Sequence, residues 1–231
     1  MIGGALINGC RRRSPSSIVK LISSAILCRG THNTCNAYSP SESKLQRLLS
    51  TEIQYQCDYA PPHQPVTEYG RFMVEDRPGE QSVTMRGKSS EDENIKIEAA
   101  MFDGIIVQQK AEGQENVHLH ISMSVDIWKG EGTNNSNSAN AMKFVCSAWP
   151  NTLEIQKVFM CRHDDASPPA RLYMGPQFKN LNTRLQIGFY EFLNTRGVND
   201  GLSMFLHKYM MNKDRIELIQ WLGKLNCFLK T

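Results

Sequence analysis

These 231 residues hold no apolar run long enough to cross a bilayer. The longest stretch of that kind, IVKLISSAIL at 18–27, is broken by Lys20 and falls short of the roughly 20 residues a spanning helix requires. No membrane span is expected. Seven cysteines are present without a single CxxC pair, and three of them, Cys10, Cys28 and Cys35, fall near the start of the chain. The other four, Cys57, Cys146, Cys161 and Cys227, are scattered, which argues against a disulfide framework and for small buried thiols in a reducing compartment. There is no GxSxG elbow, no HExxH, no GxGxxG and no calcium-loop spacing, so the common signatures of hydrolases, zinc proteases, dinucleotide enzymes and EF-hands are missing. Acidic residues are absent from residues 1–41.

That last absence divides the chain. Residues 1–41 carry Arg11, Arg12, Arg13, Lys20 and Arg29 and are rich in serine, the composition of an organelle transit peptide. Ile18, Leu21, Ile22 and Ala25 share one helical face at about 100° per residue, the amphipathic form such leaders take. Lys20 interrupts what a secretory signal would need as its apolar core. A mitochondrial leader over 1–40, cleaved between residues 29 and 45, followed by one domain over 41–231, is the expected organisation; a chloroplast leader is the alternative. The five basic residues of the leader are part of 26 in all, which leaves 21 basic against 23 acidic side chains in the remainder, a net charge near −2. The overall charge of +3 is therefore no sign of nucleic-acid binding. Roughly 180 residues suffice for one domain burying about 70% of its unfolded surface.

Past the leader, Ser39 and Pro40 are suited to cap and open a helix, and Leu45, Leu48, Leu49 and Ile53 recur at helical spacing until the proline cluster Pro61, Pro62 and Pro65. A helix over about 41–58 follows. From Val117 to Ile127 every second residue is apolar, alternating with His118, His120, Ser122, Ser124 and Asp126. Such alternation marks a long strand with one wet face in an antiparallel sheet. Ile95 to Met101 and Met142 to Ala148 repeat it, and shorter runs surround Val83 and Ile155. Five to seven strands are expected between residues 68 and 161, with the polar tract 130–141 as the loop of a hairpin.

The period then turns helical. Phe178, Leu181, Leu185, Phe189 and Phe192 form one stripe ended by Gly197. Asn199 is placed to cap a second helix carrying Leu202, Phe205, Leu206, Tyr209 and Met210, and a third runs from about Lys213. On that last helix Leu218, Trp221, Leu222, Leu225, Phe228 and Leu229 share a sector that could cover a sheet, leaving Ile216, Ile219 and Cys227 on the other side. Either a neighbouring helix of the same chain or a sister subunit covers that second face. With Leu45 and Leu49 of the first helix, Ile216, Ile219 and Cys227 make up the candidate subunit interface.

Residues with chemical potential have bland alternatives. Arg86-Gly87-Lys88-Ser89 resembles the end of a phosphate-binding loop, but Ser82 stands where the earlier glycine is needed. His118 and His120 share a strand face, yet zinc needs a third protein ligand and Asp126 is roughly 20 Å from His120 at strand rise. Asp164 and Asp165 beside His163, and the run Glu91, Asp92, Glu93, read as solvated loop charge. Asn134-Asn135-Ser136 fits a glycosylation sequon. Trp128, Trp149 and Tyr173 are candidates for edge packing or for partner contact. No catalytic, cofactor-binding or metal-binding residue is assigned, and no cofactor is expected.

Lys143-Phe144-Val145-Cys146-Ser147-Ala148-Trp149-Pro150 and onward to Val158, with Tyr173-Met174-Gly175-Pro176-Gln177-Phe178-Lys179-Asn180-Leu181, Arg196-Gly197-Val198 and Trp221-Leu222, resembles the mitochondrial glycoprotein family. This is the group that includes the animal complement component 1 Q subcomponent-binding protein, and the likeness, spanning about 68–231, is greatest to plant members. It implies an α+β fold, a strongly twisted seven-stranded antiparallel sheet flanked by one N-terminal and two to three C-terminal helices. Three copies would close into a doughnut-shaped homotrimer. It also implies a non-enzymatic matrix scaffold or chaperone-like factor serving oxidative phosphorylation and mitochondrial ribosome or RNA-related assembly. Matrix proteins would be its partners; RNA lacks support in the charge pattern. The animal members are strongly acidic, whereas the folded part here is near −2, so long-range attraction of basic partners is weaker. An enzyme or small-ligand carrier on the same sheet is the alternative, and a deep apolar pocket with convergent titratable groups would favour it.

Overall fold

The computed structural model describes residues 39–109, 115–130, 140–162 and 172–230. All of the expected leader but Ser39 and Pro40, the loops around Asn134 and Asp164, and His163 and Asp165 lie outside the described residues. The chain forms two compact units, one built from residues 65–214 and the other from residues up to Gln64 together with those from Arg215 onward.

Helix α1, Pro40–Tyr59, begins where the sequence places it. Ser39 Oγ accepts the Glu42 amide at 3.2 Å, and the Glu42 carboxylate accepts the Ser39 amide at 2.7 Å, so two orphan donors of the first turn are satisfied reciprocally. Pro40 occupies a first-turn position that has no partner for an amide donor.

Eight strands follow, all paired antiparallel: β1 (Glu68–Tyr69), β2 (Phe72–Asp76), β3 (Ser82–Ser90), β4 (Glu93–Ala100), β5 (Gly104–Gln109), β6 (Glu115–Lys129), β7 (Asn140–Trp149) and β8 (Thr152–Arg162). Their order is β1-β2-β3-β4-β6-β7-β8, with β5 pairing the part of β6 that β4 leaves. The sheet has one strand more than seven because β4 and β5 are a single strand broken by a bulge. Ala99 pairs Met123 and Gly104 pairs His120, so the four residues Ala100 to Asp103 oppose only Ile121 and Ser122. Phe102 at the bulge has φ +36°, the only left-handed non-glycine residue among those described.

The alternation in β6 is realised in three dimensions. Ile121, Met123, Val125 and Ile127 are buried, while Ser122, Ser124, Asp126 and Trp128 are half-buried on the opposite face. Ile95, Ile97, Phe144, Cys146 and Ala148 from the neighbouring strands extend the same apolar layer. Gly87 in the segment resembling a phosphate loop lies in the middle of β3. A Cβ there would meet Arg71 O and Phe72 Cδ1, both at 2.7 Å, so that glycine serves close packing.

A 3-10 turn at Phe178–Asn180 leads into α2, Thr183–Asn194, and then α3, Asp200–Phe228. Phe178 and Leu181, read as the start of one helical stripe, precede the helix. Asn182 interrupts them in extended backbone and caps α2, its side chain accepting the Arg184 amide at 2.9 Å. The two last helices expected from the sequence are one. Asn199 caps it, accepting the Leu202 amide at 3.2 Å, and no glycine or proline occurs between Leu202 and Leu222 to end it. Gly197, with φ +79°, makes the turn between α2 and α3. Leu193, Leu202, Leu206, Tyr209 and Met210 join the sheet core, and the Phe144 ring meets Phe189 at 5.9 Å and Phe192 at 6.0 Å. No described helix is long and apolar enough to cross a membrane.

In the smaller unit the last helix buries residues of both expected stripes, Leu222 of one and Ile219 of the other. Ile219, 1% exposed, packs on Ile53 and Cys57 of α1, whereas Trp221 and Phe228 are 55% and 78% exposed. Both stripes are apolar, and periodicity alone does not say which one α1 covers. Leu49 is also buried within the chain, Ile216 is half-buried, and Leu45 is exposed; Cys227, expected as a thiol, is half-buried and disulfide-bonded, which leaves Cys57, Cys146 and Cys161 as the free cysteines among the described residues.

Phe144→Ala is expected to cost about 3–5 kcal/mol by emptying the centre of the sheet–helix core. Urea unfolding followed by circular dichroism measures it; a loss below about 1 kcal/mol would contradict the packing described.

Candidate functional site

The bulge between β4 and β5 gathers most of the polar chemistry of the larger unit. Asp103 leaves the ladder there, and its Oδ1 accepts the Ser122 amide at 3.0 Å and the Nδ1–H of His120 at 2.8 Å. Gly104 permits this, since a Cβ at that position would crowd the His120 Cβ at 3.2 Å. Burial pushes the Asp103 carboxyl up, but the hydrogen bonds from Ser122 and His120 together outweigh it and hold the group below its ordinary value. The His120 ring lies 4.8 Å from that of Trp149, and the Phe102 ring lies 5.9 Å from that of His207. One turn apart on α3, Ser203 Oγ donates to Trp149 O and His207 Nε2–H donates to Ala148 O at 3.0 Å. These bonds occupy carbonyls at the end of β7, next to where β6 loses its partner.

An Asp–His pair is the arrangement that orients a general base. Here His120 turns one nitrogen to Asp103 and packs its ring on Trp149; the Ser122 hydroxyl is bonded to the same Asp103 carboxylate, and Ser203 is committed to backbone carbonyls. His118 shares the strand face with His120 but pairs across to Ile106. Among the described residues no three of His, Cys, Asp and Glu group as a metal site.

Two further ion pairs close on themselves. Glu93, read from the sequence as part of a solvated acidic run, is buried and takes both Nε and Nη2 of Arg196, at 2.7 and 3.0 Å. The Arg196 bonds outweigh burial and lower the Glu93 pKa, and the guanidinium carbon sits 3.5 Å over the centre of the Phe192 ring. The correction has a topological cause: Arg196 is 103 residues away and reaches Glu93 only because Gly197 turns the chain back. This pair borders a cleft of about 420 Å³ that also contains Trp128, Met142 and Met160. Asp76 accepts from Tyr209 Oη at 2.8 Å and from the buried Lys213 at 2.5 Å; burial first, then the Asp76 carboxylate, raises the Tyr209 pKa. Cys146 is buried with its thiol pushed up to about 12 by desolvation, far from a reactive thiolate.

The wet face of the sheet carries matched charges, Glu75 with Arg86, Glu98 with Lys96 and Asp126 with Lys143. Tyr173 is exposed, whereas Trp128 and Trp149 are half-buried. The sequence reading missed the exposed apolar positions Ile105, Ile106 and Val107 on β5, and Tyr55 and Tyr59 on α1. The signal was present in the uncharged run Gly104–Gln109, which continues a strand past the point where the helices cover it.

His207 sets a pH dependence. Burial depresses its pKa, opposed by the Ala148 carbonyl and reinforced by His120. Below the ordinary imidazole value of about 6.5 the unfolded chain therefore binds a proton that the folded chain does not, and stability falls as pH falls through that window. Glu93 and Asp103, whose folded values are lowered, lose their contributions only near and below about pH 4. Urea midpoints measured between about pH 7.5 and 5.5 should drop with pH, and less steeply in His207→Gln; parallel profiles would refute the assignment.

A profile described as mitochondrial glycoprotein matches residues 49–229. A mitochondrial protein of Arabidopsis thaliana is 28% identical over 226 residues, with 94% of this chain and 85% of the relative covered. Mitochondrial acidic protein mam33 of Schizosaccharomyces pombe is 25% identical over 231 residues, with 87% and 82% covered. Among solved structures, the Trypanosoma brucei p22 protein superimposes with a TM-score of 0.65 at 22% identity, over 83% of this chain and 100% of that one. A Leishmania major protein described as a sequence homologue of human p32 gives 0.61 at 17% identity, over 82% and 99%. These two likenesses establish the sheet-and-helix fold. With the profile match running from within α1 to the end of α3, the chain belongs to the mitochondrial glycoprotein family.

Proposed function

We propose that this chain is a non-enzymatic binding protein of the mitochondrial matrix. It acts as a homotrimeric scaffold that holds assembly intermediates of the respiratory chain or the mitochondrial ribosome. The observation that carries the reading is a contrast within the molecule. The organised polar groups, around Asp103, Glu93 and Asp76, are each saturated by partners from the chain's own fold. Large apolar side chains, in contrast, stand in solvent: Leu45, Leu48, Tyr55, Tyr59 and Trp221 on the helices, and the β5 run on the sheet. Saturated polar groups fix a shape, and exposed apolar ones bind other surfaces.

The mitochondrial names of the Arabidopsis and fission-yeast relatives, with the arginine-rich and acid-free start of this chain, support import. The candidate interface of Ile216, Ile219, Cys227, Leu45 and Leu49 is narrowed by burial. Ile219 and Leu49 are already covered, so Leu45, with Leu48 and Trp221 beside the original set, is the surface left for a sister subunit. The folded part is near neutral, so contact relies on apolar area more than on long-range charge, and direct RNA binding lacks a basic surface.

Affinity purification of the tagged chain from isolated mitochondria tests the reading. Respiratory or ribosomal assembly proteins should co-purify with and without ribonuclease, on particles whose chain count is a multiple of three. Steady turnover of a metabolite by the purified protein would contradict it.

A further inference from the structure

The hairpin of β5 with the first part of β6 runs beyond the rest of the sheet. β4 pairs β6 only as far as Met123, and β7 only as far as Ile121, whereas β5 pairs it from His120 out to Glu115. Over that length the two strands have no other described neighbour in the ladder, and a lone two-stranded ribbon is marginal in water. Asp103 fixes its base through Ser122 and His120. Its side chains are uncovered: Ile105, Ile106 and Val107 are 64%, 46% and 51% exposed, and Val117 across from Val107 is exposed as well.

The other edges of the sheet are blunted. β1 has two residues. Along β8 the amide of Leu153 is taken by Asp200 Oδ1 at 2.8 Å and that of Ile155 by Tyr190 Oη at 3.4 Å, so side chains stand where another strand would dock. Among the described residues none bonds the open edge of β5 in this way. Gly104–Gln109 contains neither charge nor proline, and an open apolar edge of this kind is a template for another strand.

The strand that fits it without penalty is β5 itself. Laid antiparallel about Ile106, two copies set Ile106 opposite Ile106, Ile105 opposite Val107 and Gly104 opposite Gln108. β-branched side chains then meet β-branched side chains on both faces, and no like charges oppose. Self-complementarity about a two-fold axis is the condition for a closed isologous contact. We propose that β5 is a two-fold contact between copies of this chain, pairing edge to edge about Ile106. The contact goes beyond the trimeric ring and would join two such rings into a particle of six chains.

Light scattering on the full chain and on Ile106→Lys tests this, together with thiol cross-linking of Ile106→Cys measured against the wild type, which has cysteines of its own. Lysine at 106 would meet its own copy across the axis. The expected result is six chains for the wild type, three for Ile106→Lys with unchanged circular dichroism, and covalent dimers of Ile106→Cys well above the wild-type background. Two chains falling to one in Ile106→Lys would keep the contact and remove the ring. Three chains in both proteins, with Ile106→Cys cross-linking no better than wild type, would overturn the contact and keep the ring. An unchanged chain count in Ile106→Lys with loss of a co-purifying protein would also overturn it, because the edge would then belong to a client.

Discussion

The alternation of apolar and polar residues along β6 is the constraint on which the larger unit depends. Among the described strands this one, of 15 residues, is the only one that pairs with three others, β4, β5 and β7. A slip of one residue in its register would turn Ile121, Met123, Val125 and Ile127 to the wet face and bring Ser122, Ser124 and Asp126 under the helices. Because the sheet offers one continuous apolar face, α2 and the first half of α3 have a single surface to cover. Phe189, Phe192, Leu202, Leu206 and Met210 meet it there.

The same register decides where the polar chemistry goes. When the β4–β5 strand departs from β6 at the bulge, the Ser122 amide loses its strand partner, and the Asp103 carboxylate replaces it. When the β7 carbonyls run out of neighbours, Ser203 and His207 reach down from α3 to take them. Glu93 and Asp76 are paired in the same spirit, with Arg196 and Lys213. Breaking a buried pair by removing one partner typically costs about 3–5 kcal/mol, so these groups hold elements in place and are poorly suited to change protonation or partner during a reaction cycle. A scaffold needs such fixed groups and gains nothing from mobile ones.

Local signals in the sequence located the elements well. Ser39 and Pro40 announce α1, the alternation of 117–127 announces β6, and Gly197 marks the turn after α2, because each rests on contacts within a few residues. What failed was long-range or two-sided. Glu93 looked solvated because its partner Arg196 lies far along the chain. Trp221 is exposed while Leu222 and Ile219 are both buried, because a helix with two apolar stripes does not disclose which positions its neighbour covers. The break between β4 and β5 went unread, although Asp103 ends the alternation of Ile95, Ile97, Ala99 and Met101. Of the candidate interface residues, Leu45 is exposed, whereas Leu49 is covered by its own chain.

Under the proposed binding role, a near-neutral chain with saturated polar groups relies on its apolar surface, and β5 is the most exposed stretch of it within the described sheet. Amide hydrogen exchange of Ile105, Ile106 and Val107 in the intact protein is the most direct test, because it reads burial by other chains at the place where one chain alone provides little. The account predicts slow exchange approaching that of the β6 core at working concentration, becoming faster on dilution. Exchange at the rate of a free hairpin, independent of concentration, would contradict it.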